Sequence, residues 1–134
     1  DVSVADAWAD LQKDPRAQLV DVRTAAEWSF VGLPDLSATA KRVHRIEWVS
    51  FPAMAPNPAF LTEAVAALGP DTTVPVYFLC RSGARSRAAA IALTEAGYTN
   101  CFNVAGGFEG DLDEERHRGL INGWKASGLP WKQS

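Results

Sequence analysis

A cysteine stands between an apolar run and an alanine-rich run in the heptapeptide CRSGARS, residues 80–86. A cysteine thiolate is a strong nucleophile, and both the positive end of a helix and nearby arginine charge favour the thiolate over the thiol. Small residues after the cysteine let the backbone curl and turn its N–H groups inward, which makes a nest for an anion. We therefore expect Cys80 to be the catalytic nucleophile. We expect the six residues after it to bind the substrate: Arg81, Ser82, Gly83, Ala84, Arg85 and Ser86.

A structural role for Cys80 is the alternative. Free cysteines are often buried as small apolar residues, and Cys80 directly follows the most apolar run of the chain, VPVYFL at residues 74–79. A core cysteine, however, has no use for an arginine-rich turn with a glycine before a helix. The residues that follow Cys80 therefore favour a functional thiol.

Alternating strand and helix patterns must position this loop. Apolar runs predict strands at residues 18–22, 43–49, 74–79 and 100–104. Helix signals lie around and between them: caps at Ser3, Thr24 and Asn57, and helical runs at residues 85–97 and 115–128. This alternation predicts an α/β fold of three layers, α/β/α, with a central, mostly parallel sheet. Ligands bind at the carboxyl ends of such strands, which is where both Asp21 and Cys80 fall.

Composition limits the classes of function. The chain has 134 residues, which suits a single domain over residues 1–134. Its formal charge of −3 and its pI of about 5.3 argue against a general nucleic-acid binder. No apolar stretch reaches the length of a membrane span and the first residues lack a signal-peptide pattern, so we expect a cytoplasmic protein. The chain has two cysteines and no zinc-ligand spacing, so we expect no disulfide framework, no metal and no cofactor.

Four segments resemble those of rhodanese-type sulfurtransferases, and they follow one another in the family's order. They are LVDVRTAAEW at residues 19–28, CRSGARS at 80–86, NVAGGFEG at 103–110 and GWKASGLPW at 123–131. The resemblance covers nearly the whole chain and is to a single rhodanese-like domain. It implies that the central sheet has five strands.

The resemblance also implies a ping-pong transfer of sulfane sulfur. The Cys80 thiolate would take sulfur from a small anionic donor such as thiosulfate, become a persulfide, and pass the outer sulfur to a thiophilic acceptor such as cyanide or a thiol. Arg81 and Arg85 would attract the donor. Asp21 and Arg23 match the family's DVR and would brace the loop through an ion pair between Asp21 and an arginine. A protein that carries a persulfide is a further partner class; no nucleic acid and no membrane is expected, and the oligomeric state is not set by the sequence.

Two segments depart from the family pattern. Residues 30–48 lack its Gly-His-Ile-x-Gly-Ala sequence, so His44 inherits no role, and the acidic insertion at residues 110–117 is longer than a minimal domain needs. Between them lies a proline-rich segment. Trp48, Phe51 and Met54 lie in and before this segment, and the hypothesis is that part of it forms an apolar lip beside the cysteine, with ordinary packing as an equal alternative.

Other functions of the same fold remain open. A cysteine phosphatase or arsenate reductase needs Cys-x5-Arg, whereas here Arg85 stands five positions after Cys80 and Ser86 stands six. The shorter loop predicts a cradle better sized for sulfur than for phosphate. A non-catalytic binding or regulatory domain is a second alternative, although it would not need to keep the cysteine and both arginines. Cys101 is expected to be a buried strand residue, with a resolving thiol as the alternative.

Overall fold

Strands and helices alternate along the chain in a computed structural model that describes residues 1–133. The strands of this part of the chain are, in order, β1 (Gln18–Asp21), β2 (Leu33–Pro34), β3 (Val43–Arg45), β4 (Val49–Ser50), β5 (Ala55–Pro56), β6 (Val76–Leu79), β7 (Cys101–Asn103) and β8 (Trp131–Lys132). The α-helices are α1 (Val4–Lys13), α2 (Ala25–Phe30), α3 (Phe60–Leu68), α4 (Ala84–Glu95) and α5 (Gly123–Ala126). None of these helices is long and apolar enough to cross a membrane.

The central sheet has the strand order β3-β1-β6-β7, and every pairing in it is parallel. The α/β prediction with a central parallel sheet is confirmed, but the sheet has four strands rather than the five expected. The place of a fifth strand beside β7 is taken by a single parallel bridge between Val2 and Val104. Ser3 caps α1 by accepting a hydrogen bond from the Asp6 N–H, so the chain enters the helix directly after the bridge residue Val2.

The two faces of the sheet carry separate cores, which gives the predicted three layers. Along β6, Phe78 packs with α3 and α4 on one face, and Tyr77 and Leu79 pack with α1 and α5 on the other. All four residues of β6 are buried. A strand covered on both faces reads as a continuous apolar run, which is why this strand was the clearest in the sequence.

Two predicted helix boundaries and one strand end are wrong. The helix expected from Asn57 begins at Phe60, because the Asn57 side chain accepts from the Ala59 N–H and donates to the Glu47 carbonyl instead of capping a helix that starts beside it. The helix expected over residues 115–128 is reduced to Gly123–Ala126, since Arg116 and Gly119 have positive φ, which a right-handed helix excludes. The strand expected at residues 43–49 ends at Arg45.

A turn after β7, the glycine turn of residues 105–110, holds the carboxyl end of β6. The Phe108 N–H donates to the carbonyl of Cys80 at 2.8 Å, and the N–H groups of Glu109 and Gly110 donate to the carbonyl of Arg81 at 3.0 and 3.1 Å. Gly107 makes this approach possible. A Cβ there would lie 2.5 Å from the Cys80 carbonyl oxygen and 2.6 Å from the Arg81 carbonyl group.

We predict that Gly107→Ala destabilises the protein more than Gly128→Ala does. Both glycines have similar positive φ, +64° and +73°, so both substitutions carry a left-handed backbone cost of about 1 to 2 kcal/mol. Only the Cβ at residue 107 meets other atoms, and overpacking adds about 1 to 3 kcal/mol. The free energy of unfolding from urea titrations measures the difference. Equal losses in the two variants would mean that the turn moves away from Cys80 without cost.

Candidate active site

Cys80 lies at the carboxyl end of β6, where the chain turns into α4. Its side chain is almost covered, with 1% of the residue exposed. Gly83, at φ +116°, precedes the first helical residue, Ala84, and its N–H donates to the Cys80 Sγ at 3.1 Å. The sulfur therefore lies over the amino end of α4, where unpaired N–H groups and the helix dipole favour negative charge.

Ser86 connects Cys80 to a buried polar chain. Its Oγ is 3.2 Å from the Cys80 Sγ and donates to Asn103 Oδ1 at 2.5 Å, while Asn103 Nδ2 donates to the Asp1 carboxylate. Because a hydroxyl has one proton, the thiol must be the donor to Ser86 in this arrangement. If Cys80 becomes a thiolate, the Ser86 proton can turn from Asn103 to the sulfur.

Arg85 forms a two-pronged ion pair with Glu27 of α2. Its Nη1 and Nη2 atoms donate to the two carboxylate oxygens at 2.7 and 3.0 Å, and 18% of each side chain is exposed. Burial alone would raise the pKa of Glu27, but the hydrogen bonds and charge of Arg85 outweigh it and lower that pKa below its usual value. Burial would likewise lower the pKa of Arg85, and Glu27 reverses this and raises it. Arg85 is therefore a cation held in place, with its charge balanced.

The remaining residues of the cysteine loop, residues 80–86, differ in exposure. Arg81 is exposed at the mouth of the site, although its carbonyl is held by the glycine turn. Ser82 is half-buried, and Ala84 is exposed as the first residue of α4. Of the six residues expected to bind substrate, Gly83 and Ser86 contact the Cys80 sulfur and Arg85 pairs with Glu27, while the part of all six in binding stays a prediction.

Asp21 and Arg23 form a fully buried ion pair at the carboxyl end of β1, the strand next to β6. Arg23 Nη2 donates to Asp21 Oδ2 at 2.6 Å and to the Gly32 carbonyl at 2.8 Å. The guanidinium carbon lies 4.3 Å from the centre of the Phe108 ring. The arginine that pairs with Asp21 is therefore Arg23, and the pair reaches the cysteine loop through Phe108, whose N–H binds the Cys80 carbonyl.

A cleft of about 980 Å³ opens beside the cysteine loop. Arg81 and Arg85 line it from the loop, and Phe51 and Met54 line it from the proline-rich segment. Trp48 does not; it packs edge-on against Phe60, with 4.9 Å between the ring centres. Two of the three residues expected to form an apolar lip thus border this cleft, and the third belongs to the core.

Cys101 is too far along the sheet to reach Cys80. It pairs with Val76, four residues before Cys80 on β6, and a strand rises about 3.3 Å per residue, so about 13 Å separates the two positions. A disulfide needs Cα atoms within about 7 Å. Burial also raises the pKa of the Cys101 thiol, which opposes its ionisation. Cys101 cannot act as a direct resolving thiol in this fold.

The His44 side chain forms a hydrogen bond with the Gln18 side chain, at the end of β1 opposite to Asp21.

Glu27, Asn103 and Phe108 belong to this site but were not predicted as site residues. Glu27 forms a capping box with Thr24 at the start of α2 as well as the ion pair with Arg85. Asn103 gave a usable signal, because a polar residue at the carboxyl end of a buried parallel strand points to a ligand edge. Phe108 gave none, since an aromatic residue after two glycines is equally typical of packing.

Among residues 1–133, no group of His, Cys, Asp and Glu side chains could hold a metal ion.

Comparison with known proteins gives the family. The model of the STR4 middle domain family matches residues 1–134. The crystal structure of Rv0390 from Mycobacterium tuberculosis is 50% identical in sequence and matches with a TM-score of 0.91 over 100% of this chain and 97% of that one. The solution structure of the polysulfide-sulfur transferase homodimer from Wolinella succinogenes is 26% identical, with a TM-score of 0.65 over 99% of this chain and 77% of that one.

The rice chloroplast protein THYLAKOID RHODANESE-LIKE is 30% identical over 97% of this chain. The matched region spans 24% of the length of the rice protein. The chain belongs to the STR4 middle domain family, and its fold is rhodanese-like.

Proposed function

We propose that residues 1–134 act as one sulfurtransferase domain of the single-domain rhodanese type. It moves a sulfane sulfur from a donor such as thiosulfate, through a persulfide on Cys80, to a thiophilic acceptor such as cyanide or a thiol. The observation that carries the proposal is the position of the Cys80 Sγ, 3.1 Å from the Gly83 N–H and 3.2 Å from the Ser86 hydroxyl at the amino end of α4. The setting we propose is the cytoplasm, because both cysteines are free and a reducing compartment keeps a thiol nucleophile active.

The reaction takes two steps. The Cys80 thiolate attacks the outer sulfur of thiosulfate, a new S–S bond forms, and sulfite leaves with the electron pair of the broken bond. The acceptor then attacks the outer sulfur of the persulfide, and the electron pair of that S–S bond returns to Cys80 as thiolate. Cyanide leaves as thiocyanate, and a thiolate leaves as a persulfide.

The residues of the loop have separate roles in this scheme. The Gly83 N–H and the Ser86 hydroxyl stabilise the thiolate and then the persulfide anion, with the neighbouring N–H groups of residues 81–86 as a cradle. Arg81 attracts the anionic donor. Arg85 adds to this attraction through the part of its positive charge that the Glu27 carboxylate does not neutralise. Asp21 and Arg23 hold the loop in position through Phe108, which packs against Arg23 and donates its N–H to the Cys80 carbonyl.

The position of Arg85 supports sulfur transfer over phosphoryl transfer. A phosphatase loop aims its arginine at the bound oxyanion, but Arg85 gives two of its N–H groups to Glu27. The residue six positions after Cys80 is Ser86, which is buried against the sulfur.

A polysulfide donor is also compatible with a cleft of about 980 Å³. The similar Wolinella protein is named for polysulfide as a class of donor.

We predict that Cys80 gains one sulfur atom when the protein is treated with thiosulfate. Intact-protein and peptide mass spectrometry measure the gain and its location. Cys80→Ser abolishes it and Cys101→Ser retains it, because the second thiol lies about 13 Å away along the sheet.

Two results would contradict the sulfurtransferase assignment. No gain of sulfur from thiosulfate, from polysulfide or from an organic persulfide would favour a non-catalytic domain. Turnover of an aryl phosphate that Cys80→Ser abolishes, without any sulfur transfer, would favour a phosphatase.

We predict that Glu27→Gln lowers the KM for thiosulfate and leaves the KM for an uncharged organic trisulfide unchanged. Glutamine keeps the size of the side chain and an oxygen for the cap of α2, but it removes the negative charge that balances Arg85. The stronger positive field then favours the dianion. The same variant loses about 2 kcal/mol of stability, since a charged hydrogen-bond pair that is largely buried has been weakened.

Glu63→Gln is the matched control, because it makes the same change of charge at an exposed position outside the cleft. Sulfur transfer to cyanide with each donor gives the kinetic constants. An increase of KM by the same factor for both donors would mean that Glu27 maintains the shape of the loop and has no effect through charge.

A further inference from the structure

The cleft beside the cysteine loop is positively charged although the chain is acidic. Four arginines and two glutamates line it, which gives a formal charge of +2 with the histidine neutral, whereas the whole chain has −3. Glu27 and Arg85 balance each other. Within residues 1–133, the arginines of the lining without a carboxylate partner are Arg81, Arg116 and Arg118.

Two of these four arginines, Arg116 and Arg118, come from the acidic insertion at residues 110–117 and the residue that follows it. The 111–118 segment lines the cleft with Leu112, Arg116, His117 and Arg118, and its four acidic residues are absent from the lining. Two of those acids hold the fold of the segment, and a third, Glu115, lies 4.0 Å from the Nδ1 atom of His117 in the lining. The Asp113 carboxylate accepts from the N–H groups of residues 115 and 117, and the Asp111 carboxylate accepts from the Asn122 side chain.

The side chains at the rim of the cleft are apolar and exposed to solvent. Exposed fractions are 81% for Phe30, 63% for Phe51, 46% for Met54 and 42% for Leu112. Exposed apolar side chains grouped around a polar site are typical of a surface that binds another protein. A small molecule inside the cleft would leave most of this rim in contact with water.

The size of the cleft also exceeds what a small donor needs. Sites for drug-sized ligands measure about 300 to 1,000 Å³, and this cleft, at about 980 Å³, is at the upper end of that range. Thiosulfate and cyanide would fill a small part of it. The rest of the space, the charge and the rim are left for the second substrate, the acceptor.

We propose that the cleft docks an acidic, cysteine-bearing segment of a partner protein, and that this cysteine is the acceptor of the sulfur. Acidic side chains of the segment pair with Arg81 and Arg116, and an apolar side chain next to the cysteine packs on Phe30 and Phe51. The inference rests on the proposed function, since it names the acceptor of that same site.

The geometry of a persulfide suits such an acceptor. The outer sulfur lies about 2 Å beyond the Cys80 Sγ, so the partner's thiolate need not reach the covered sulfur itself. It attacks the outer sulfur, the bond to Cys80 Sγ breaks, and the electron pair returns to Cys80. The partner leaves with a persulfide on its cysteine.

Binding is tested without sulfur chemistry. The Cys80→Ser protein is titrated with a fluorescent peptide that has aspartates and a leucine around a central serine, and with a matched peptide that has asparagines in place of the aspartates. We expect the aspartate peptide to bind at least about tenfold more tightly, and we expect its affinity to fall with added salt. Equal affinity of the two peptides overturns the proposal.

Two variants locate the binding site. Arg116→Ala weakens binding of the aspartate peptide by about fivefold, the upper range for an exposed charge pair, and Arg42→Ala, which removes an exposed arginine outside the cleft, does not. Phe30→Ser weakens binding of the leucine peptide and has no effect on a peptide with alanine at that place. Equal effects of Arg116→Ala and Arg42→Ala would reduce the attraction to general charge and overturn the proposal.

Transfer is then measured in single turnovers. The wild-type persulfide is mixed with the cysteine form of the aspartate peptide or with glutathione, and sulfur on each product is followed by mass spectrometry. We expect Arg116→Ala to slow transfer to the peptide by a larger factor than it slows loading from thiosulfate or transfer to cyanide, because only the peptide pairs directly with Arg116. Transfer to glutathione that is as fast and as dependent on Arg116 overturns the proposal in favour of a small thiol. Specific binding of the serine peptide without any sulfur transfer supports the docking surface and overturns the sulfurtransferase function instead.

Discussion

The contact between the glycine turn and the cysteine loop constrains the rest of this site. Three N–H groups of residues 108–110 donate to the carbonyls of Cys80 and Arg81, and Gly107 leaves no room for a Cβ between them. These bonds join the ends of β6 and β7, so a carbonyl pair that would otherwise face solvent has fixed partners. The Cys80 Sγ stays over the amino end of α4 because the hydrogen bonds from the glycine turn fix the backbone of Cys80.

Charge in the site is organised by two ion pairs that differ in purpose. Asp21 and Arg23 are fully buried, and a buried pair of this kind gains little net stability after desolvation. The pair instead fixes the orientation of the Arg23 guanidinium, which packs on Phe108 and donates to the Gly32 carbonyl. Glu27 and Arg85 lie nearer to water and set how much positive field remains at the mouth. One pair therefore fixes position, and the other adjusts charge.

Local signals predicted the parts of this molecule that depend on local physics. The run before Cys80, the caps at Ser3 and Thr24, and the small residues around Gly83 gave the fold class and the cysteine loop, because each reflects the preferences of neighbouring residues. The pairing of Arg85 with Glu27 joins residues 58 positions apart, and no local pattern encodes it. The segment before α5 failed as a helix because its backbone conformation is set by contacts with Glu109 and Asn122, which a helical period does not reveal.

The register of β7 has a consequence for the lifetime of an intermediate. Because Cys101 lies opposite Val76, the chain offers no second thiol to discharge a sulfur held on Cys80. If the proposed persulfide forms, it would persist until an outside acceptor arrives. The domain would then hold one sulfur atom per chain, and the supply of acceptor, not of donor, would set the rate at which that sulfur is released.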